Sequence, residues 1–530
     1  MKKYILVLII VAGSIAACNK GYLEVLPLNQ LSNGTFWKTK NDADLALVGC
    51  YSNWEQWWNI LLFDGASDNA CDTHFGWESI SNGQISSTTS LCPVTPTEYY
   101  YDKITKYNTF LTLVDGVVMD DGIKKEYKAE VRFLRAYNYF IKTMYFGDVP
   151  LVKEPVSYSV NLPRTAAADV QQFILDELDT ISTILPVENN IKSGGHVTAG
   201  AALALRARLE LYMGKYADAM ADAKKVIDMN VFALYDGGSA SGFRNMFLPG
   251  SNNNNTEAIL TVNYVNGPTI SGIYYPQMCQ TPSYGGYEST CATRSLVDAF
   301  ETTNGKTIDD PTSGYDPNLP FKNRDGRLAM TILCPGQLCL GKFYNPLNQN
   351  GPDGTTINIE YVTAANAAST GYALLKYITP ISIADMQKNA VNIMVIRLAE
   401  VYLTYAEAAE ETNTNEEIAL GYINMLRARG NLPPATVLTR DLVRRERRVE
   451  LAFESLRYFD VKRWDIGATA LNGPKEGSRE GSIDMNTGVV TWGDTYIKVD
   501  NMVFNSARKY LLPIPQSEID VTGLTQNPGY

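Results

Sequence analysis

The sequence predicts a mostly α-helical protein, in which paired helices form a scaffold that carries long loop-rich insertions and a few short strands. Three observations predict it. Apolar and aromatic residues recur at helical spacing over long stretches. Two of these stretches break at turn formers and then resume, as helix pairs do. Between the pairs lie segments rich in Gly, Asn and Tyr that hold no sustained period. With 45% apolar and only 19% charged residues among 530, the chain can bury a core and is not disordered by composition.

The elements follow in order. Lys2 and Lys3, the apolar run Tyr4 to Gly13 and the small residues Ile15-Ala16-Ala17 read as a signal peptide over residues 1–17. Cys18 directly after them matches the bacterial lipobox, so it is expected to carry the lipid. No later stretch approaches the ~18 uninterrupted apolar residues of a membrane helix, and acyl chains on Cys18 alone would hold the body to a membrane. Residues 18–230 then read as an N-terminal helical lobe with a long early loop at 63–101. Residues 231–380 read as a loop-rich, ligand-binding insertion, and 381–530 as a C-terminal helical lobe with its tail.

Lys124 to Phe146 carries Tyr127, Val131, Leu134, Tyr137, Phe140 and Tyr145 at mostly helical spacing, and Thr165 to Ile184 repeats the pattern. Ala199 to Met213 breaks at Gly214 and resumes from Tyr216 to Ile227. Ile396 to Glu410 breaks at Asn413-Thr414-Asn415 and resumes from Glu416 to Arg429. Both units resemble tetratricopeptide helix pairs, although neither carries the full consensus. Further on, Glu454, Arg457, Asp460 and Arg463 stand three apart, which predicts one helical face of interlocking ion pairs with a structural role.

Composition excludes several chemistries. A net charge of −11 (46 Lys+Arg against 57 Asp+Glu) argues against a nucleic-acid surface. Only His74 and His196 exist, which leaves little for zinc-hydrolase chemistry and few bases for a Ser-His-Asp triad. No Gly-x-Ser-x-Gly or Gly-x-Gly-x-x-Gly occurs. Gly336 to Lys342 has P-loop spacing, but Phe343 stands where the metal-binding hydroxyl belongs. The Asp64 to Asp72 cluster lacks the alternating ligand pattern of a calcium loop, so a structural calcium there is a minor expectation beside the main one of no cofactor and no metal site. Seven cysteines follow Cys18, namely Cys50, Cys71, Cys92, Cys279, Cys291, Cys334 and Cys339. Export would favour pairing, and Cys334 and Cys339, flanking Pro335-Gly336, are the easiest local bridge.

Four stretches carry a wider resemblance. They are Tyr22-Leu23-Glu24 with Phe36-Trp37-Lys38-Thr39 and Gly49-Cys50-Tyr51; Arg132-Phe133-Leu134-Arg135-Ala136-Tyr137 with Tyr145 to Pro150; Glu446 to Glu454 running on to Arg457, Asp460, Arg463 and Trp464; and Leu512-Pro513-Ile514-Pro515 with Glu518 and Gln526 to Tyr530. In this order they resemble the SusD/RagB family of Bacteroidetes outer-membrane nutrient-binding lipoproteins. The resemblance implies a helix-pair fold whose inserted loops build the ligand face, and no enzymatic activity. It further implies a lipoprotein of the outer membrane, facing the cell exterior, that captures oligosaccharides, or in some branches peptides, and delivers them to a SusC-like TonB-dependent outer-membrane transporter. Exposed Trp and Tyr in the loops favour glycan over peptide, and a secreted hydrolase is the remaining alternative.

The resemblance also places the ligand, on a shallow arc of aromatics from an early and a mid-chain loop. The matching stretches here are Phe63 to Tyr101 and Tyr274 to Arg294. Trp77 is the first expected stacking platform and Tyr284 with Tyr287, flanking Gly285-Gly286, the second. Phe75 adds a ring, and Asp68, Asn69 and Arg294 are expected to bond sugar hydroxyls.

Overall fold

The computed structural model describes residues 36–89, 98–155, 162–265, 273–378 and 389–530. The expected signal peptide, Cys18 and Cys92 lie outside the described residues. The scaffold consists of α1 (Lys40–Tyr51), α2 (Asp102–Leu113), α3 (Asp121–Phe146), α4 (Ala167–Ser182), α5 (Ala199–Tyr212), α6 (Tyr216–Asp228), α7 (Leu398–Thr412), α8 (Glu416–Arg429), α9 (Arg440–Glu450) and α10 (Arg457–Arg463). Their ends are where local chemistry puts them. Asp120 caps α3 by accepting the Ile123 N–H at 3.0 Å, and the helix stops at Gly147, whose φ of 71° a side chain would resist. Gly214, at φ 72°, turns α5 into α6, and Asn413 and Asn415, both left-handed, turn α7 into α8. Both predicted helix pairs are therefore present.

Each helix packs on the next through α2, α3, α4, α5 and α6. The stack then continues from α6 onto α7, although the whole loop-rich insertion separates them in sequence. One buried apolar cluster runs from Ala43 to Ile514, so the N-terminal lobe, the insertion and the C-terminal lobe share a core.

Strands occur as small antiparallel pairs: β1 (Ala70–Asp72) with β3 (Thr290–Ala292), β2 (Ala258–Val262) with β8 (Ile393–Arg397), β4 (Ile332–Leu333) with β7 (Ala373–Leu374), β5 (Leu338–Cys339) with β6 (Lys342–Phe343), and the longer β9 (Gly473–Ile483) with β10 (Val490–Met502). The near P-loop is the β5–β6 hairpin. Leu340 and Gly341 both take positive φ at its tip, a turn suited to a tight hairpin, and no helix follows it.

The charged helix differs from the sequence expectation. It breaks between α9 and α10, where Phe453 and Ser455 take positive φ. Glu454 therefore leaves the helical face and accepts from Arg397 and Lys376 at 2.7 Å each. Arg457 turns instead to Asp68, and of the expected i,i+3 pairs the Asp460–Arg463 contact forms at 2.9 Å. The structural role stands, in a different arrangement. Glu450 meets Arg327, Arg397 and Arg429, all buried, and those cations hold its carboxyl well below the usual range although burial alone would push it up. The tail packs back on the body: Leu512 N–H donates to the Tyr145 carbonyl at 2.7 Å and Ile514 is buried.

Candidate functional site

The two stretches expected to meet a ligand do come together, through the β1–β3 ladder. Ala70 faces Ala292, Cys71 faces Cys291 and Asp72 faces Thr290. Antiparallel pairing sets the residues after β1 beside those before β3. Thr73 N–H accordingly donates to the Ser289 carbonyl at 2.8 Å, and the His74 and Tyr287 rings stack with centroids 6.2 Å apart and planes 19° from parallel. Phe75, half-buried, meets Trp57 edge to face, and the Gln277 amide donates to Tyr287 Oη at 3.2 Å.

Tyr284, three residues before Tyr287 in the chain, sets its hydroxyl 3.3 Å from the carbonyls of Cys339 and Leu340 in the β5–β6 hairpin. Gly285 is left-handed at φ 80°. At Gly286 a Cβ would sit 2.0 Å from the Gln280 carbonyl, so the chain can turn there only with glycine. The hairpin also presents Leu338 and Leu340, 60% and 57% exposed. The face thus combines aromatic rings, one imidazole and an apolar rim, with Tyr284, Tyr287 and Phe75 partly exposed and His74 exposed.

Trp77 does not belong to that face. Asp72 accepts the N–H groups of Phe75 and Trp77, the latter at 2.9 Å, and closes a turn that folds the indole inward. There it is fully buried, edge to face with Phe63, and close enough to Gly65 that a Cβ on that glycine would crowd it. Burial pushes the Asp72 carboxyl up to about 6.

Asp68, Asn69 and Arg294 are likewise corrected, because the ladder carries them to its opposite end. Asp68 is buried and bonds Arg448 at 3.0 Å and Arg457 at 2.7 Å. Burial alone would raise its carboxyl, yet the two guanidinium groups pull it down to about 2. Asn69 spends its amide on Asp64 and accepts from Arg448 at 2.9 Å. Arg294 lies partly exposed on the surface, where it pairs with Asp298 and Glu476 and stacks 3.5 Å from the Tyr496 ring centroid. The carboxylates of the Asp64 to Asp72 cluster are taken by arginines and backbone N–H groups, Asp64 accepting from Phe453 at 2.7 Å. Among the described residues no group of three or more His, Cys, Asp or Glu is placed to hold a metal ion.

His74, Leu338 and Leu340 are the members of the face that sequence reasoning passed over. The signal was available for the leucines: Leu-Cys-Leu-Gly, with an exposed left-handed tip, suits a hairpin better than a phosphate loop. The expected Cys334–Cys339 bridge is absent. Cys334 is drawn into the main core while Cys339 packs on a separate small cluster, and the turn between them bonds Gly336 to Tyr344 instead.

A separate cleft of about 360 Å³ lies between the end of α1 and the turn before α5, lined by Tyr51, Trp54, Gln56, His196, Asn263 and Tyr264. Behind two of these residues the buried Glu130 accepts from Tyr51 and lies 2.7 Å from His196 Nδ1. That hydrogen bond raises the imidazole above its ordinary range.

Known proteins of the same build exist. Residues 243–530 match the family described as "SusD family", and residues 22–211 match one described as "Starch-binding associating with outer membrane". SusD-like protein P38 of Formosa agariphila is 25% identical over 520 residues, covering 90% of this chain and 95% of the relative. Starch-binding protein SusD of Bacteroides thetaiotaomicron is 26% identical over 486 residues, covering 81% of this chain and 77% of the relative. A solved SusD-like carbohydrate binding protein from Bacteroides fragilis NCTC 9343 superposes with a TM-score of 0.80 at 27% identity, covering 92% of this chain and 99% of that one. Matched over more than half its length by that family and bearing its helix-pair fold, this chain belongs to the SusD family.

Proposed function

We propose that this protein is a lipid-anchored, glycan-binding protein of the outer membrane that captures oligosaccharides on the face formed by His74, Phe75, Tyr284 and Tyr287 and delivers them to a SusC-like TonB-dependent transporter. The observation that carries the reading is the β1–β3 ladder, which joins two loops distant in sequence and leaves rings at their junction open to solvent. Flat aromatic faces suit sugar rings, which present apolar C–H surfaces between their hydroxyls. The names of the relatives support it, since they describe starch and carbohydrate binding. Capture and delivery need neither turnover nor a cofactor. Cys18, in its lipobox, supplies the anchor, and no helix among the described residues is long and apolar enough to cross a membrane.

The exposed Leu338 and Leu340 favour a second reading, in which the rim receives the apolar side chains of an oligopeptide. A glycan array followed by calorimetry on the soluble body, run beside a peptide library, tests both. Saturable binding of one glycan class that weakens in Tyr287→Ala supports the first reading, and peptide binding alone overturns it. Gentle detergent extraction of the outer membrane tests delivery, with co-purification of a TonB-dependent receptor as the expected result.

A further inference from the structure

Two thiols stand face to face beneath the candidate site. Cys71 and Cys291 are direct partners in the β1–β3 register, 2% and 0% exposed, on the same side of the ladder. Thr73 N–H donates to the Ser289 carbonyl and Thr293 N–H to the Asn69 carbonyl, so Cys71 and Cys291 are a hydrogen-bonded pair of the ladder; such pairs have Cα atoms about 5.5 Å apart, inside the roughly 4.4–6.8 Å that a disulfide spans. Their sulfurs share one neighbour: Ser369 Oγ lies 3.6 Å from Cys291 Sγ and 3.7 Å from Cys71 Sγ. The other described cysteines have no such opposition. Cys50, Cys279 and Cys334 belong to the main core, and Cys339 packs at the edge of the small cluster that holds this pair.

We propose that Cys71 and Cys291 are the site of an oxidative modification, a disulfide that ties the early loop to the mid-chain loop once the chain is exported. The reaction is exchange with a disulfide donor R–S–S–R, the chemical class of exported thiol oxidases: the Cys291 thiolate attacks one donor sulfur and expels R–S⁻. The Cys71 thiolate then attacks the Cys291 sulfur of the mixed disulfide and expels the second R–S⁻. Two thiols lose two electrons, the donor gains them, and the two protons leave on two R–SH. Both sulfurs are buried once the ladder has closed, so the exchange takes place while the two loops are still open to the donor.

The closed bond would span the two loops that meet at the His74–Tyr287 stack, so it would hold the face in register before any ligand arrives. The inference rests on export to an oxidising compartment and not on the identity of the ligand. Its failure would leave the glycan reading intact.

The test uses the full-length protein: cells are quenched in acid and thiols are blocked with N-ethylmaleimide in denaturant, so that the buried sulfurs are reached, before isolation and digestion without reduction. The expected result is a peptide pair joined through Cys71 and Cys291 that accounts for most of both residues and disappears on reduction. Recovery of either cysteine mainly as the maleimide adduct, or joined to Cys339 or another cysteine, overturns the proposal. In Cys291→Ser, Cys71 should take the label; a Cys71 that stays blocked has a different partner, and that outcome overturns the proposal as well.

Discussion

The two ends of the β1–β3 ladder, three residues apart, do opposite work. At one end Asp68 and Asn69 are sealed under Arg448 and Arg457, and polar side chains lock an insertion to α9 and α10. At the other, His74 and Tyr287 stack at the surface and are held by ring contact instead of charge. The difference teaches that in this loop the buried end is held by charge and the open end by ring contact, while Trp77, a ring between them, is structural.

The comparison breaks most visibly at the ionic end. Asp68→Asn takes the carboxylate from the buried Arg457 and the half-buried Arg448 and should cost about 3–5 kcal/mol of stability, read as a fall in urea midpoint with an unchanged slope. The pH dependence has a definite sign. The folded carboxyl titrates near 2 against an ordinary 3.8, so its stabilisation is present above the higher value and is lost as pH falls through the lower. The stability gap between wild type and Asp68→Asn should therefore narrow as pH falls from about 4 to about 2, and a gap that stays constant or widens would contradict this.

Trp77→Ala should also cost about 3–5 kcal/mol, because a buried indole leaves a cavity. Ligand affinity measured well below the melting transition should change little. A clean loss of binding with unchanged melting would return Trp77 to the ligand face.

At the aromatic end the effects are smaller. Tyr287→Ala removes one stacking ring and should weaken oligosaccharide binding by about fivefold to tenfold, on the order of 1 kcal/mol, with the melting temperature within a degree or two of wild type. Calorimetry with the glycan found on the array measures it. The smallest effect is expected for Leu340→Asn, at a left-handed tip that Asn tolerates: stability should stay within about 0.5 kcal/mol. Glycan binding should persist there, whereas a peptide ligand would lose its apolar contact.

The sequence made the scaffold legible and the side-chain directions opaque. Apolar spacing with Gly214 and Asn413-Thr414-Asn415 as breakers marked both helix pairs, because those signals are local. That the two loops meet was implied by the resemblance to the family, and composition only marked which stretches they are. Which of their residues face outward was not legible, because the Asp72 turn that buries Trp77 and the arginines that claim Asp68 and Asn69 act from elsewhere in the chain or across a few backbone N–H groups. The break after α9 was hidden for the same reason. No Gly or Pro marks Phe453 or Ser455, and it is Arg397 and Lys376, brought in by β8 and the segment after β7, that draw Glu454 off the helical face.

The continuation of the stack from α6 onto α7 has a consequence for how the protein is made. Those helices are neighbours in space yet separated by about 170 residues, and closing so long a loop is entropically costly before any contact rewards it. While the chain emerges from the ribosome or crosses a membrane, the side of α6 that meets α7 must wait uncovered until nearly four-fifths of the sequence has emerged. The folding rate should be set by this late docking step and not by the formation of either helix pair, and the uncovered side of α6 is exposed to misassociation until then.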